Sequence, residues 1–129
     1  MNIFGIFVRA LTKRKIATRN LNGNIPLVLG ISPTLQCNYH CKGCYALKDK
    51  AQNELSSEEL DCLLSEAENL GIPSIVVTGG EPFLREDFFS AIEKHRKLLF
   101  VVVTNGTLLT THSAKRVAKS KKYHHLNKH

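Results

Sequence analysis

Three short apolar runs, separated by stretches long enough for helices, restrict what this chain can fold into. Residues 27–32 read Leu-Val-Leu-Gly-Ile-Ser, residues 74–78 Ser-Ile-Val-Val-Thr, and residues 98–104 Leu-Leu-Phe-Val-Val-Val-Thr. Each is nearly continuous in apolar side chains, the pattern of a strand buried on both faces of a parallel sheet. Each runs into a loop bearing Gly or Pro: Pro33 after the first, Gly79-Gly80-Glu81-Pro82 after the second, Asn105-Gly106-Thr107 after the third.

The segments between them carry helix signals. Ser56 and Glu59 form a capping-box pair, with Leu55 placed to staple onto Leu60. Leu60, Leu63, Leu64, Ala67 and Leu70 recur at helical spacing, and Gly71 supplies the stop. Residues 87–94 predict a shorter helix with Phe88, Ala91 and Ile92 inward. Residues 113–119 predict the start of another, with Ala114, Val117 and Ala118 on one face. Strand and helix in strict alternation mean parallel strands joined by right-handed crossovers. The fold class is therefore α/β: a partial (β/α) barrel of about three parallel βα units behind an N-terminal amphipathic helix.

A fourth strand is due about 20–25 residues beyond the third. Residues 121–129 hold no apolar run, so three units are expected. Both outer strands are then edges, and the apolar 99–103 edge needs cover. A second copy, another polypeptide completing the barrel in trans, or the remainder of a truncated gene product would supply it. Self-association of the chain alone is expected.

The 129 residues suffice for one compact domain and not for two. The net charge of +7 is unevenly spread: residues 1–48 hold seven bases and no acid, 49–111 eleven acids and five bases, 112–129 six bases and no acid. An acidic middle between basic ends argues against nucleic acid as a partner. The expected division is a basic amphipathic segment at 1–24, a partial core at 25–120 and a basic tail at 121–129. The longest apolar stretch near the start is residues 3–8, far short of the roughly 20 residues of a membrane span. No base precedes it, and Arg9, Lys13, Arg14 and Lys15 follow it, the reverse of a signal peptide. A cytoplasmic setting is expected, where thiols stay reduced. Residues 1–19 place Phe4, Val8 and Leu11, with Ile3 and Phe7, on one helical face ahead of the basic cluster. Such a helix either packs on its own domain across an open barrel end or makes peripheral contact with an anionic membrane; packing is the expected role.

Two motifs carry chemistry. Cys37-Asn38-Tyr39-His40-Cys41-Lys42-Gly43-Cys44 is a C-x3-C-x2-C in the loop leaving the first strand, the end of the sheet where parallel α/β folds place their sites. Three thiolates within eight residues suit three corners of an iron–sulfur cluster and leave a fourth iron open to a small molecule. Zinc competes, with Cys62 or His40 as fourth ligand, although the spacing fits neither finger nor ribbon. Cys62 falls on the amphipathic helix and reads as a buried thiol. His40 reads as a polar loop residue, and His124, His125 and His129 as solvated in the Lys-rich tail. Thr78-Gly79-Gly80-Glu81-Pro82 follows the second strand: two glycines permit close backbone approach, and Glu81 adds a carboxylate. Arg85, Glu86 and Asp87 read as a helix start.

On these residues the chain resembles the radical S-adenosylmethionine (SAM) superfamily. Cys37, Cys41 and Cys44 match its cluster motif, Gly79-Gly80-Glu81-Pro82 its glycine-glycine-glutamate-proline motif, and the likeness extends over residues 27–110, including Thr104-Asn105-Gly106-Thr107. The residue before the third cysteine, aromatic in many members, is Gly43 here, with Tyr39 and Tyr45 nearby. The resemblance implies a 4Fe–4S cluster on Cys37, Cys41 and Cys44, with SAM chelated at the open iron. It implies that Gly79, Gly80, Glu81 and Pro82 bind SAM, the first three orienting its amino group. It further implies a reductant such as ferredoxin or flavodoxin, and reductive cleavage to a 5′-deoxyadenosyl radical that abstracts hydrogen from a substrate. The alternative is a non-catalytic iron–sulfur or zinc-binding module.

Overall fold

The computed structural model describes residues 3–21, 23–47, 54–119 and 123–127. Helix α1 (Ile3–Leu21) precedes strand β1 (Val28–Ile31), helix α2 (Ser57–Leu70), strand β2 (Ser74–Val77), helix α3 (Glu86–Lys94), strand β3 (Leu99–Thr104), helix α4 (Thr111–Lys119) and strand β4 (Tyr123–Asn127). The strands form one sheet in the order β1-β2-β3-β4, every neighbouring pair parallel. The α/β class and the alternation of parallel strands with helices agree with the sequence.

Strand β4 corrects the expected strand count. Its backbone pairs with β3 from Phe100 to Thr104, so the edge that needed cover is covered within the chain. Ladder hydrogen bonds come from the main chain and require no apolar run, which is why hydropathy missed it. The side chains of His124 and His125, and all of His129, lie outside the described residues.

Helix boundaries follow their caps. At α2 the Ser56 hydroxyl accepts from Glu59 N, and the Glu59 carboxylate accepts from Ser56 N at 2.8 Å, closing the capping box. Gly71 ends it at φ 80°. Helix α4 begins two residues ahead of expectation because Thr110 and Ser113 cap it reciprocally. Thr110 N donates to Ser113 Oγ at 2.8 Å, and Ser113 N to Thr110 Oγ1 at 3.2 Å. Ser113 is buried and Ala114 exposed; Val117 and Ala118 lie among the side chains outside the described residues.

The core joins one face of the sheet to α2 and α3. Ile75, Val77, Phe100 and Val102 cluster with Leu60, Leu64 and Ala67 of α2 and with Phe88, Phe89, Ala91 and Ile92 of α3. The strands alternate instead of being buried on both faces: Val76, Val101 and Val103 are half-buried, and Val28 and Gly30 of β1 are exposed. In a closed barrel that second face meets strands across the barrel. Helix α1 inverts its expected orientation. Ile6 and Ala10 are buried, while Phe4, Val8 and Leu11 face outward. The small Ala10 lets the α1 backbone run directly against Gly71, where an added Cβ would lie 2.5 Å from Ala10 O. Arg14 Nε donates to Ile25 O at 2.7 Å and Lys13 Nζ to Glu68 O at 3.2 Å, so α1 holds the residues leading into the strands, at the end away from the cysteine loop.

A second correction concerns Cys62. It is exposed, because the inward stripe of α2 passes through Leu60, Leu64 and Ala67 instead. Accordingly, Cys62→Ala should leave stability within about 0.5 kcal/mol of the parent, whereas Leu64→Ala should cost about 2–5 kcal/mol. Urea denaturation of the two variants checks both.

Candidate functional site

Three loops meet at the C-terminal end of the sheet, and main-chain hydrogen bonds join the first two. Thr78 N donates to Ile31 O at 2.9 Å, Gly80 N to Thr34 O at 2.9 Å and Glu81 N to Gln36 O at 2.8 Å. These rungs extend the pairing of β1 and β2 to the residue before Cys37. Only glycine permits them. A Cβ on Gly80 would lie 1.9 Å from Gln36 O, and one on Gly79 (φ 107°) 2.4 Å from Thr34 O. The diglycine therefore seats the entry to the cysteine loop.

Side chains hold the same loop from behind. Thr34 is buried, and its hydroxyl donates to Glu54 Oε1 at 2.5 Å, the oxygen that also accepts from Leu35 N at 3.1 Å. Arg85 Nη1 donates to Pro33 O at 2.7 Å and to Leu55 O at 2.8 Å. The guanidinium is anchored in turn by Asp87, through Nε to Oδ1 at 3.0 Å and Nη2 to Oδ2. Ser57 Oγ donates to Asp87 Oδ2 at 2.7 Å. Arg85 and Asp87 start α3, as the sequence suggests, and in addition brace the loop after β1. Nothing in the spacing pairs Glu54 with Thr34 or Arg85 with Pro33.

Glu81 is fully buried and its carboxylate is committed. It accepts from Phe83 N at 3.1 Å, from Thr104 Oγ1 at 2.8 Å to both oxygens, and from Asn105 N at 2.8 Å. The loop after β2 is thereby tied to the end of β3. Pro82 opens a single 3-10 turn, Pro82–Leu84, which Glu81 caps.

The three thiols share one loop, but the structure does not bring their sulfurs to one point. Among the described residues, no three His, Cys, Asp or Glu side chains gather as a metal site. Cys37 and Cys44 are half-buried and Cys41 is exposed, all three free, and His40 is exposed. Cys41 to Cys44 form a turn, Cys44 N donating to Cys41 O at 3.1 Å, with Gly43 at φ 79°. That left-handed conformation is strained for an aromatic L-residue, a physical reason for Gly43 at this place. Tyr45 compensates from the other side of Cys44. Its hydroxyl accepts from Gly79 N at 2.9 Å and bonds Thr78 Oγ1 at 3.0 Å, pinning the far end of the cysteine loop to the diglycine. Asn105 and Asn38 complete the join to the third loop, Asn105 Nδ2 donating to Asn38 Oδ1 at 2.8 Å. As a donor set, three uncrosslinked thiols in a partly exposed loop, beside a glycine-lined backbone, fit an iron–sulfur cluster.

A family model described as "Radical SAM superfamily" matches residues 31–127. The chain belongs to the radical SAM superfamily. Within it, the chain is similar to an Fe-coproporphyrin III synthase of Methanosarcina barkeri, 39% identical over 88 residues, which are 65% of this chain and 22% of the relative. It is also similar to a probable GTP 3′,8-cyclase of Thermococcus kodakarensis, 38% identical over 96 residues, 71% of this chain and 31% of the relative. The fold matches that of Streptococcus suis SuiB bound to the precursor peptide SuiA, with TM-score 0.70 and 24% identity over 90% of this chain and 27% of SuiB. SuiB bound to S-adenosylmethionine matches with TM-score 0.68 and 24% identity, over 90% of this chain and 26% of SuiB. The chain thus spans between 22% and 31% of these proteins. Among the described residues no helix is long and apolar enough to cross a membrane.

Two outcomes check this geometry. Gly80→Ala has no room without moving the Gln36 backbone, so it should lose about 3 kcal/mol or more of stability, together with hydrogen-exchange protection at Glu81 N. The second concerns acid. The hydrogen bonds from Arg85 hold the Asp87 carboxyl down at about 2, against burial and helped by Ser57. A depressed carboxyl pKa contributes stability that is complete above the ordinary value near 3.8 and lost as pH falls toward 2. Urea titrations should therefore show stability dropping between about pH 4 and about pH 2, and Asp87→Asn should flatten that drop.

Proposed function

We propose that the chain holds a 4Fe–4S cluster on Cys37, Cys41 and Cys44 and binds SAM beside it, forming the cofactor end of a radical SAM enzyme. When bound, the two groups supply reductive cleavage of a sulfonium carbon–sulfur bond and a 5′-deoxyadenosyl radical for hydrogen abstraction from a substrate. The observation that carries this reading is the backbone seat: the diglycine, whose bareness the structure requires, lies against the residues that deliver the three thiols.

This chain's own residues hold and orient. Gly79, Gly80, Glu81 and Pro82 bind SAM through the loop they shape. Because its carboxylate is committed to Thr104, Phe83 and Asn105, Glu81 contributes by fixing that loop. Tyr45 and Arg85 keep the cysteine loop on it from opposite sides. The relatives are named for different reactions, synthesis of Fe-coproporphyrin III and cyclisation of GTP among them, and SuiB is bound to a peptide. The part they have in common with this chain belongs with cofactor handling rather than substrate choice.

Anaerobic reconstitution with iron and sulfide tests the reading. The chain should take up about four iron atoms per molecule and turn brown, and Cys→Ala at position 37, 41 or 44 should abolish most of that uptake. Added SAM and a strong reductant should then yield 5′-deoxyadenosine. Iron without 5′-deoxyadenosine would favour the iron–sulfur binding module, and a colourless chain that takes up zinc would overturn both iron–sulfur readings in favour of the zinc-binding module.

A further inference from the structure

Asn105 Nδ2 lies 3.7 Å from Cys37 Sγ, and its neighbours decide which amide atom faces the sulfur. Asn105 Nδ2 donates to Asn38 Oδ1 at 2.8 Å, Asn38 Nδ2 to Thr107 Oγ1 at 2.8 Å, and Thr107 Oγ1 to Asn105 Oδ1 at 2.7 Å. A closed ring of this kind can in principle run in either direction, with both amides flipped. The main chain removes the ambiguity. Thr107 N donates to Asn105 Oδ1 at 3.0 Å, and a flipped amide would set an NH₂ group against that N–H. The backbone of Asn105 is itself held by Glu81 Oε2 at 2.8 Å. The group facing Cys37 is therefore an N–H donor locked in place from the third loop.

We infer that Asn105 is a positioning residue that donates an N–H···S hydrogen bond to the Cys37 sulfur and raises the reduction potential of the cluster. The inference rests on the reading that Cys37 ligates that cluster. A hydrogen bond to a ligand sulfur stabilises the more electron-rich, reduced state, so removing it makes reduction harder. Tyr39 N also points at this sulfur, at 3.4 Å, but it belongs to the cysteine loop itself. Asn105 is the contact that couples the sulfur to β3.

The test uses the reconstituted full chain and two readouts, iron content and midpoint potential from a redox titration followed by absorbance and electron paramagnetic resonance. Asn105→Asp keeps the shape and the acceptor for Thr107 but replaces the donor with a carboxylate oxygen. Asn105→Ala removes the group altogether and serves if the first variant misfolds. Either should retain iron and shift the one-electron equilibrium about tenfold toward the oxidised state, about 59 mV. Asn38→Ala opens the same ring yet leaves the donor, so its potential should stay with the parent even if its melting point falls. Parent iron content with an unchanged potential in both Asn105 variants would overturn the inference alone. An equal shift in Asn38→Ala would overturn it in favour of general loosening. A parent chain that binds no iron would overturn the cluster reading as well.

Discussion

Two bare α-carbons beside a neighbouring main chain decide where everything else at this site can stand. Residues 34–36 lie so close to Gly79 and Gly80 that hydrogen bonds pass directly between the backbones. With any side chain in the gap, the chain leaving β1 would have to swing outward. Cys37 would then leave the end of the sheet, and Asn105 and Tyr45 would lose their partners. The motif's first role is thus steric, and its chemistry follows from the loop it places.

Glu81 illustrates how a residue that reads as reactive can serve as a strut. Burying a carboxylate is costly unless donors replace its water, and hydrogen bonds to a charged group are among the stronger ones, about 1.5–3 kcal/mol each. Two backbone N–H groups and the Thr104 hydroxyl do this here, drawn from two different loops. The satisfied charge fixes the spacing between the ends of β2 and β3. The cysteine loop is then framed on one side by the diglycine and on the other by Asn105.

The two ends of the sheet divide the work. At the end where the strands begin, α1 crosses Gly71 and ties down the residues leading into the strands. There His95 is buried with Asp61 at 2.9 Å from one ring nitrogen and Glu68 at 3.2 Å from the other, linking α2 to the end of α3. At the opposite end stand the thiols, glycines and amides, on loops braced by a rigid sheet, the arrangement in which parallel α/β folds keep site geometry independent of core packing.

Much of this was legible in the residues. Apolar runs and caps located three strands and the three helices between and after them, because burial period and orphan backbone groups are local properties. The C-x3-C-x2-C and the Gly-Gly-Glu-Pro declared themselves by residue type and spacing. What stayed hidden depends on which surfaces meet. Cys62 lies outside the buried stripe, the apolar stripe of α1 points away from the core, and β4 pairs without an apolar signal, since main-chain ladders carry none. The sequence by itself determined the fold class and the donor atoms, which are properties of neighbouring residues. Only the tertiary structure decided that Glu81 holds two loops together and that an amide from the loop after β3 faces Cys37, because those contacts span 23 and 68 positions and exist only once the strands lie side by side.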